Sequence, residues 1–304
     1  MFNPRSIVIF LFVLQAFSLW SQKEIYTSQY LHNQYTVNTA FAGSTEALTL
    51  FGAFRKQWVG IDGSPQAQLV SAHTPLKNEQ IALGVELFNQ NMGKSGQNGF
   101  AASYTYRLRQ STNHWIGLSV NAGVSTMKAN WSEVPVLEGN DPNFTSNESY
   151  FSPILGLGAA WYGQKFYTGL STSNLFYTDI YETGETSFDF GKSQMILTAG
   201  YLAKLSNQFQ LQPSALVRLN TMYGTIFDFG ATVIWQDKFW AGLTYRNIDE
   251  ITVLLAFQPS SQFRLSYSID LGMGEVAQYN SGTHELTLRY YFGHKVQTSS
   301  PKFF

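Results

Sequence analysis

Five histidines and a scatter of charged residues are the side chains here whose types invite chemistry, and their spacing argues against a reaction centre. His32, His73, His114, His284 and His294 are dispersed, with no two at metal-ligand spacing. No nucleophile-elbow, zincin or phosphate-loop pattern occurs. With Cys 0, a thiolate zinc site and a disulfide framework are both excluded. Arg107 and Arg109 fall on one face of a two-residue repeat, and Arg55, Glu86, Asp228, Arg246, Glu250, Asp270 and Arg289 lie on or near the same face of other segments. Such a set serves a selective pore or a proteolytic or lipid-acting site, or it forms ion pairs that fill the polar interior of a β-barrel; the last is favoured, because inward charge is ordinary in such barrels. No catalytic residue, cofactor or metal is therefore expected.

The elements that carry these residues alternate with period two. In Ser261 to Gly272, Phe263, Leu265, Tyr267, Ile269 and Leu271 share one face, while Arg264, Ser266, Ser268 and Asp270 share the other. Gln208 to Asn220 behaves alike except at Pro213, where a local distortion is expected because proline cannot donate to a ladder. The same pattern marks strands at Glu46 to Trp58, Gln66 to Pro75, Gln80 to Asn89, Asn98 to Arg109, Asn113 to Met127, Ser152 to Gly163, Lys165 to Phe176, Lys192 to Leu205, Tyr223 to Trp235, Lys238 to Arg246, Glu250 to Gln258 and His284 to Phe292. The fold class is all-β: a transmembrane outer-membrane β-barrel of about fourteen antiparallel strands, or twelve if the weakly alternating Gln66 to Pro75 is excluded. A soluble β-sandwich alternates too, but the even strand lengths oppose it. With Glu46 to Trp58 running outward, the turns on the periplasmic side are all short and the two longest connections, Lys128 to Phe151 and Tyr177 to Gly191, fall on the outer side, as periplasmic turns and external loops do. Trp58, Trp115, Trp161, Phe166, Trp235, Phe239, Tyr290 and Phe292 sit near strand ends, where interfacial girdles lie.

Composition agrees. Aromatic residues are 16% and charged residues 13% of the chain, against roughly 25% charged in soluble domains, so much of the surface is not built for water. A net charge of −1 gives no electrostatic case for nucleic acid. Residues 1–22 read as a Sec signal peptide with Arg5 before an apolar Ile7 to Leu19, the alternative being an N-terminal membrane anchor. The expected division is then a signal peptide at 1–22, a periplasmic or plug segment at 23–45, the barrel at 46–293 and a periplasmic tail at 294–304.

One run has more side-chain specificity than a turn needs: Arg55-Lys56-Gln57-Trp58-Val59-Gly60-Ile61-Asp62-Gly63-Ser64-Pro65, followed by Ser71-Ala72-His73-Thr74-Pro75-Leu76. It resembles the signature of the PorP/SprF family of type IX secretion membrane proteins. Gln29-Tyr30, Asn38-Thr39-Ala40-Phe41-Ala42-Gly43, Tyr104-Thr105-Tyr106-Arg107-Leu108, Asp141-Pro142-Asn143-Phe144, Phe166 to Ser171 and Arg289-Tyr290-Tyr291-Phe292 also fit, with Thr39 departing from the family's usual proline. The resemblance implies an integral outer-membrane protein of the Bacteroidota. Its partners would be a large secreted type IX cargo or adhesin, in some members serving gliding, or periplasmic and lipoprotein components of the machine. Arg55, Gln57, Trp58, Val59, Gly60, Ile61, Asp62, Gly63, Pro65 and His73 are its signature residues. Trp131, Asp141, Pro142, Phe144, Tyr150, Tyr177, Tyr181 and Phe188 are candidate partner-binding loop residues, since aromatic groups among acids suit protein recognition; they could equally fold back into the barrel. The alternative function is a diffusion channel or hydrophobic-substrate transporter.

Overall fold

The computed structural model describes residues 27–133, 146–178, 186–221, 224–248 and 250–293. Within them the chain closes into a fourteen-stranded antiparallel barrel. The strands in chain order are β1 (Leu48–Lys56), β2 (Gln66–Pro75), β3 (Ile81–Met92), β4 (Ser95–Ser111), β5 (His114–Ala129), β6 (Glu148–Gly163), β7 (Phe166–Thr172), β8 (Phe176–Thr178), β9 (Thr186–Phe188), β10 (Met195–Tyr201), β11 (Ala203–Lys204), β12 (Phe209–Asn220), β13 (Gly224–Trp235), β14 (Phe239–Arg246), β15 (Glu250–Phe257), β16 (Phe263–Gly272) and β17 (Thr283–Phe292). β8 and β9 form a separate hairpin, and β11 continues β10 against β12 in the same register. β1 pairs with β17, so the two ends of the ring meet.

Closure joins the first strand to the last, and that is what lets backbone amides enter lipid. Side chains sort by the pleat. On β17, Leu286, Leu288, Tyr290 and Phe292 are exposed, whereas Glu285, Thr287, Arg289 and Tyr291 are buried. An apolar exterior around a polar interior is stable only with lipid outside. Gln66–Pro75 is a full strand between β1 and β3, which settles the count at fourteen rather than twelve.

Three expectations shift in detail. The irregularity caused by Pro213 appears across the ladder: Pro213 pairs in register with Ala231 on β13, while the ladder to β10 and β11 lapses opposite it at Tyr201 and Leu202. The segment expected to run to Phe176 leaves the ring at Thr172, where the Asn174 side chain accepts the Leu155 and Phe176 amides in place of a neighbouring strand. Trp115 is no girdle residue. Its position on β5 points inward, and it is 5% exposed; Trp58 lies beyond the end of β1, in a loop.

One end of the barrel has short turns at residues 76–80, 112–113, 164–165, 205–208, 236–238 and 258–262. The other carries short connections at 93–94, 221–223 and 247–249 and all the long ones, at 57–65, 130–147, 173–194 and 273–282. Short turns mark the periplasmic end.

Candidate functional site

Residues 27–47 fill the lumen instead of lying outside it. This stretch forms three single-turn 3-10 helices, Tyr30–His32, Gln34–Thr36 and Thr39–Phe41. Asparagine and threonine punctuate it: Asn38 accepts the Ala40 amide at 3.0 Å, and the Thr36 hydroxyl donates to the Asn33 carbonyl at 2.8 Å. Such local bonds compete with a continuous helix. Gln29 and Ala40 are 0% exposed and Tyr30 and Phe41 1%, a depth of burial that requires a partner for every polar atom.

The wall supplies many of those partners strand by strand, with Tyr30 Oη and the Gln34 carboxamide among the exceptions. The Gln29 carboxamide donates to the Glu285 carbonyl and accepts from Thr287. Asn33 donates to Ser71, Tyr35 meets Ser103, and Thr39 meets Ser119. Asn38 donates to the carbonyls of Ala159 and Leu170 at 3.0 and 3.3 Å. Where the segment presses closest, the wall has no side chain: a Cβ on Gly117 would run into the Ala40 carbonyl, and one on Gly84 into the Tyr35 ring. Phe41 then packs against Tyr162 and Tyr167 at ring separations of 5.5 and 6.0 Å, in a cluster with Tyr30, Leu31, Trp115, Ile196 and Leu216.

A buried charge network latches the start of the segment. Arg55 bridges Asp270 at 2.6 Å and Glu285 at 2.9 Å. Arg246 bridges Asp228 at 2.8 Å and Glu250 at 2.6 Å, and Arg218 also reaches Asp228. Ser28 sits between the two groups: its hydroxyl donates to Asp270, accepts from Arg55 and Arg246, and its amide donates to Glu285. Nearer the periplasmic end, Arg107 lies 4.4 Å over the Trp115 ring and donates to Tyr162, while Arg264 stacks 4.1 Å over Trp240 and contacts His32 Nδ1. Burial, with the Arg264 and Arg289 guanidiniums, holds the His32 imidazole well below its ordinary range, so it is neutral. No group of three or more potential metal ligands is found among the described residues.

A family model for the type IX secretion system membrane protein PorP/SprF matches residues 20–290. The chain belongs to this family. Comparison with curated proteins gives no match. Among solved structures, this PorP/SprF barrel is similar to the CymD monoaromatic hydrocarbon channel, with a TM-score of 0.50 and 11% identity over 91% of this chain and 95% of that one. The Ralstonia pickettii toluene transporter TbuX gives 0.46 and 10% over 84% and 91%, and Acinetobacter baumannii Omp33 gives 0.47 and 9% over 81% and 98%. At 11% identity the likeness to CymD speaks for the barrel fold alone.

The residues that resemble the family signature in the sequence divide between two places. Arg55 and His73 face inward and hold the luminal segment; the Gly43 amide donates to His73 Nδ1 at 3.1 Å, and the imidazole packs 5.0 Å from Tyr35. Gln57 through Pro65 form an outer loop joined to the β16–β17 connection: the Val59 amide donates to Gly282, Ser281 donates back to Val59, and the Trp58 amide donates to Thr283 Oγ1. Gln57 and Pro65 are buried and close the loop base, whereas Gly60, Asp62 and Gly63 are exposed and Ile61 is half-buried. Trp58 has a φ of +44°, rare for a bulky residue, and is 39% exposed. Among the loop candidates, Trp131 and Tyr150 both donate to Glu148, and Phe188 is 62% exposed with its ring edge-on to Phe176. Tyr177 lies on β8, where only its backbone is described, and Asp141, Pro142, Phe144 and Tyr181 lie outside the described residues.

The sequence reading did not name Ser28, Gln29, Asn33, Tyr35 or Asn38 as anchors. Two signals were present. Residues 27–45 contain no Lys, Arg, Asp or Glu yet are dense in Gln, Asn, Ser, Thr and Tyr, a composition able to satisfy a polar wall. Inward strand positions are also vacated by Gly84, Gly117, Gly158 and Gly169, and a glycine inside a strand often marks close approach of another backbone.

Proposed function

We propose that this PorP/SprF protein is a plugged outer-membrane anchor and docking component of the type IX secretion system, without catalytic activity. It is taken to reach the outer membrane after Sec signal-peptide cleavage. The observation that carries this reading is the luminal segment: residues 27–47 lie inside the bore and hydrogen-bond to strands around the ring. A bore filled this way suits a rigid platform better than a conduit, which weighs against the diffusion channel or hydrophobic-substrate transporter. On the outer side, the 57–65 loop with Trp58 and the β8–β9 hairpin with Phe188 offer exposed aromatic groups for a secreted cargo or adhesin, and Trp131 and Tyr150 offer half-buried ones. The periplasmic turns are left for machinery components.

Planar-bilayer conductance tests the plugged state. The intact protein is expected to pass little current, and deletion of residues 27–45 to open a pore. A large steady current from the intact barrel would count against the anchor and for the channel. Docking is tested separately, with a photoreactive residue in place of Trp58 or Phe188 in native outer membranes. Crosslinks to a protein bearing a type IX sorting domain support it, and crosslinks only to lipid or to the barrel itself oppose it.

A further inference from the structure

Outward of the luminal segment the lumen keeps a cavity of about 330 Å³. Its floor includes Tyr35 and Asn38, and its walls include Phe88 and Gln97. Glu86, on β3, lines it and makes no hydrogen bond or ion pair among the described residues. The contrast with the neighbouring acids is sharp. Asp228, Glu250, Asp270 and Glu285 each take an arginine within 3.2 Å. Arg55 and Arg218 line the same cavity, but both are committed to those acids.

An uncompensated carboxylate in a confined site is costly, and a cation that enters recovers that cost. We infer that the outer lumen is a binding site for an organic ammonium or guanidinium group, which pairs with Glu86 while the amides of Gln97 and Asn121 meet its polar neck. The cavity is of the size that holds small ligands or a few residues of chain. The group can come from a lysine or arginine side chain of an extended polypeptide or from a free polyamine. This site lies in the lumen, and it stands or falls independently of docking at the loops.

Calorimetry on the full-length protein in nanodiscs distinguishes the possibilities, with blocked Ala-Lys-Ala, blocked Ala-Gln-Ala and spermidine as probes. Ala-Lys-Ala is expected to bind about tenfold or more tightly than Ala-Gln-Ala, as a charge-assisted contact implies. Glu86→Gln should remove that preference, and Glu275→Gln, on the outer β16–β17 connection, should retain it. Binding of spermidine without the tripeptide assigns the site to free amines; binding of the tripeptide assigns it to polypeptide. Equal binding of the Lys and Gln peptides with no spermidine binding, or an undiminished preference in Glu86→Gln, overturns the inference. Should Glu86→Gln not fold, as judged by heat-modifiable gel mobility, Gln97→Trp fills the cavity instead; unchanged ammonium binding by that variant overturns it equally.

Discussion

Ser28 receives or donates hydrogen bonds to four charged side chains at once, so the luminal segment and the wall share one electrostatic unit. Buried networks of this kind are sensitive to the loss of a single member, because the partner left behind keeps its desolvation cost. Arg55→Met strands Asp270 and Glu285 together, and a loss of about 3–5 kcal/mol is expected, read as a lowered midpoint in heat- or urea-dependent gel mobility. A midpoint within error of the parent would show that the pair contributes nothing net. His32 adds a pH dependence. Its imidazole is held below the ordinary 6.5, chiefly by burial and then by Arg264 and Arg289, so the seated segment prefers the neutral form. Its contribution is complete above about pH 6.5 and declines as pH falls, because the released chain takes up the proton first. Since the chain contains Cys 0, a Thr36→Cys variant reports segment release by maleimide labelling. Labelling should rise on acidification, and His32→Gln should flatten that rise. Trp58 separates stability from docking: its left-handed backbone costs of order 1–3 kcal/mol, so Trp58→Gly should leave the barrel as stable or more so while reducing capture of a secreted partner. Reduced stability with intact capture would assign Trp58 to the scaffold.

At the scale of elements, the strands and the luminal segment are built by different rules, and they were unequally legible. Strand positions follow from period two, since a one-residue slip would turn Arg289 and Glu285 toward lipid; Gln208 to Asn220 matches β12 to within one residue for this reason. The luminal segment has no period to find. Its short turns are held by side chains up to 258 residues away in sequence, such as Thr287 on Gln29, and no local pattern encodes that pairing. Arg55 is legible on the inward face from the alternation, but that His73 joins it there while Trp58 lies in an outer loop is visible only in the ring. What the sequence did carry was the vacancy: Gly117 and Gly169 flank Ala160 in register on the inner face, a small-residue row under Asn38 to Phe41. Gly117→Val fills that row against the Ala40 backbone, which has little room to retreat. A cost of about 1–3 kcal/mol is expected, borne by the segment and not by the ring. Labelling at Thr36→Cys should therefore increase while the folded gel mobility persists, and loss of both together would mean that segment and barrel fold as one unit.

The whole molecule is lopsided. β4, β5 and β6 have 17, 16 and 16 residues, whereas β7 has 7 and β14 and β15 have 8 each. A tilted spanning strand needs about 9–11 residues, so the tall side must leave the membrane while the short side barely crosses it. The outward face shows where. Val70, Leu87, Phe100 and Val124 form one register row across β2 to β5, all exposed and apolar; the next row outward is Gln68, Asn89, Asn98 and Thr126. Asn89 donates to Asn98 at 2.6 Å, an amide pair that lipid would not solvate on its remaining sides. The membrane boundary is placed between these rows, and about 10 Å of wall then rises above it at roughly 3.3 Å per residue. That wall carries the connection at residues 130–147 and ends in Tyr150 and Trp131, so these two docking candidates stand on the tall side, apart from Trp58 on the β1–β2 loop and Phe188 on the β8–β9 hairpin. Single cysteines make the claim measurable in intact outer membranes. Asn98→Cys should react with a membrane-impermeant maleimide and Phe100→Cys should not, although the two are neighbours but one on the same strand. On the short side, Leu243→Cys and Leu255→Cys should both be protected. Equal labelling at Asn98→Cys and Phe100→Cys would place the whole of β4 in one phase and remove the raised wall, and with it the reason for assigning the partner's approach to this side of the barrel.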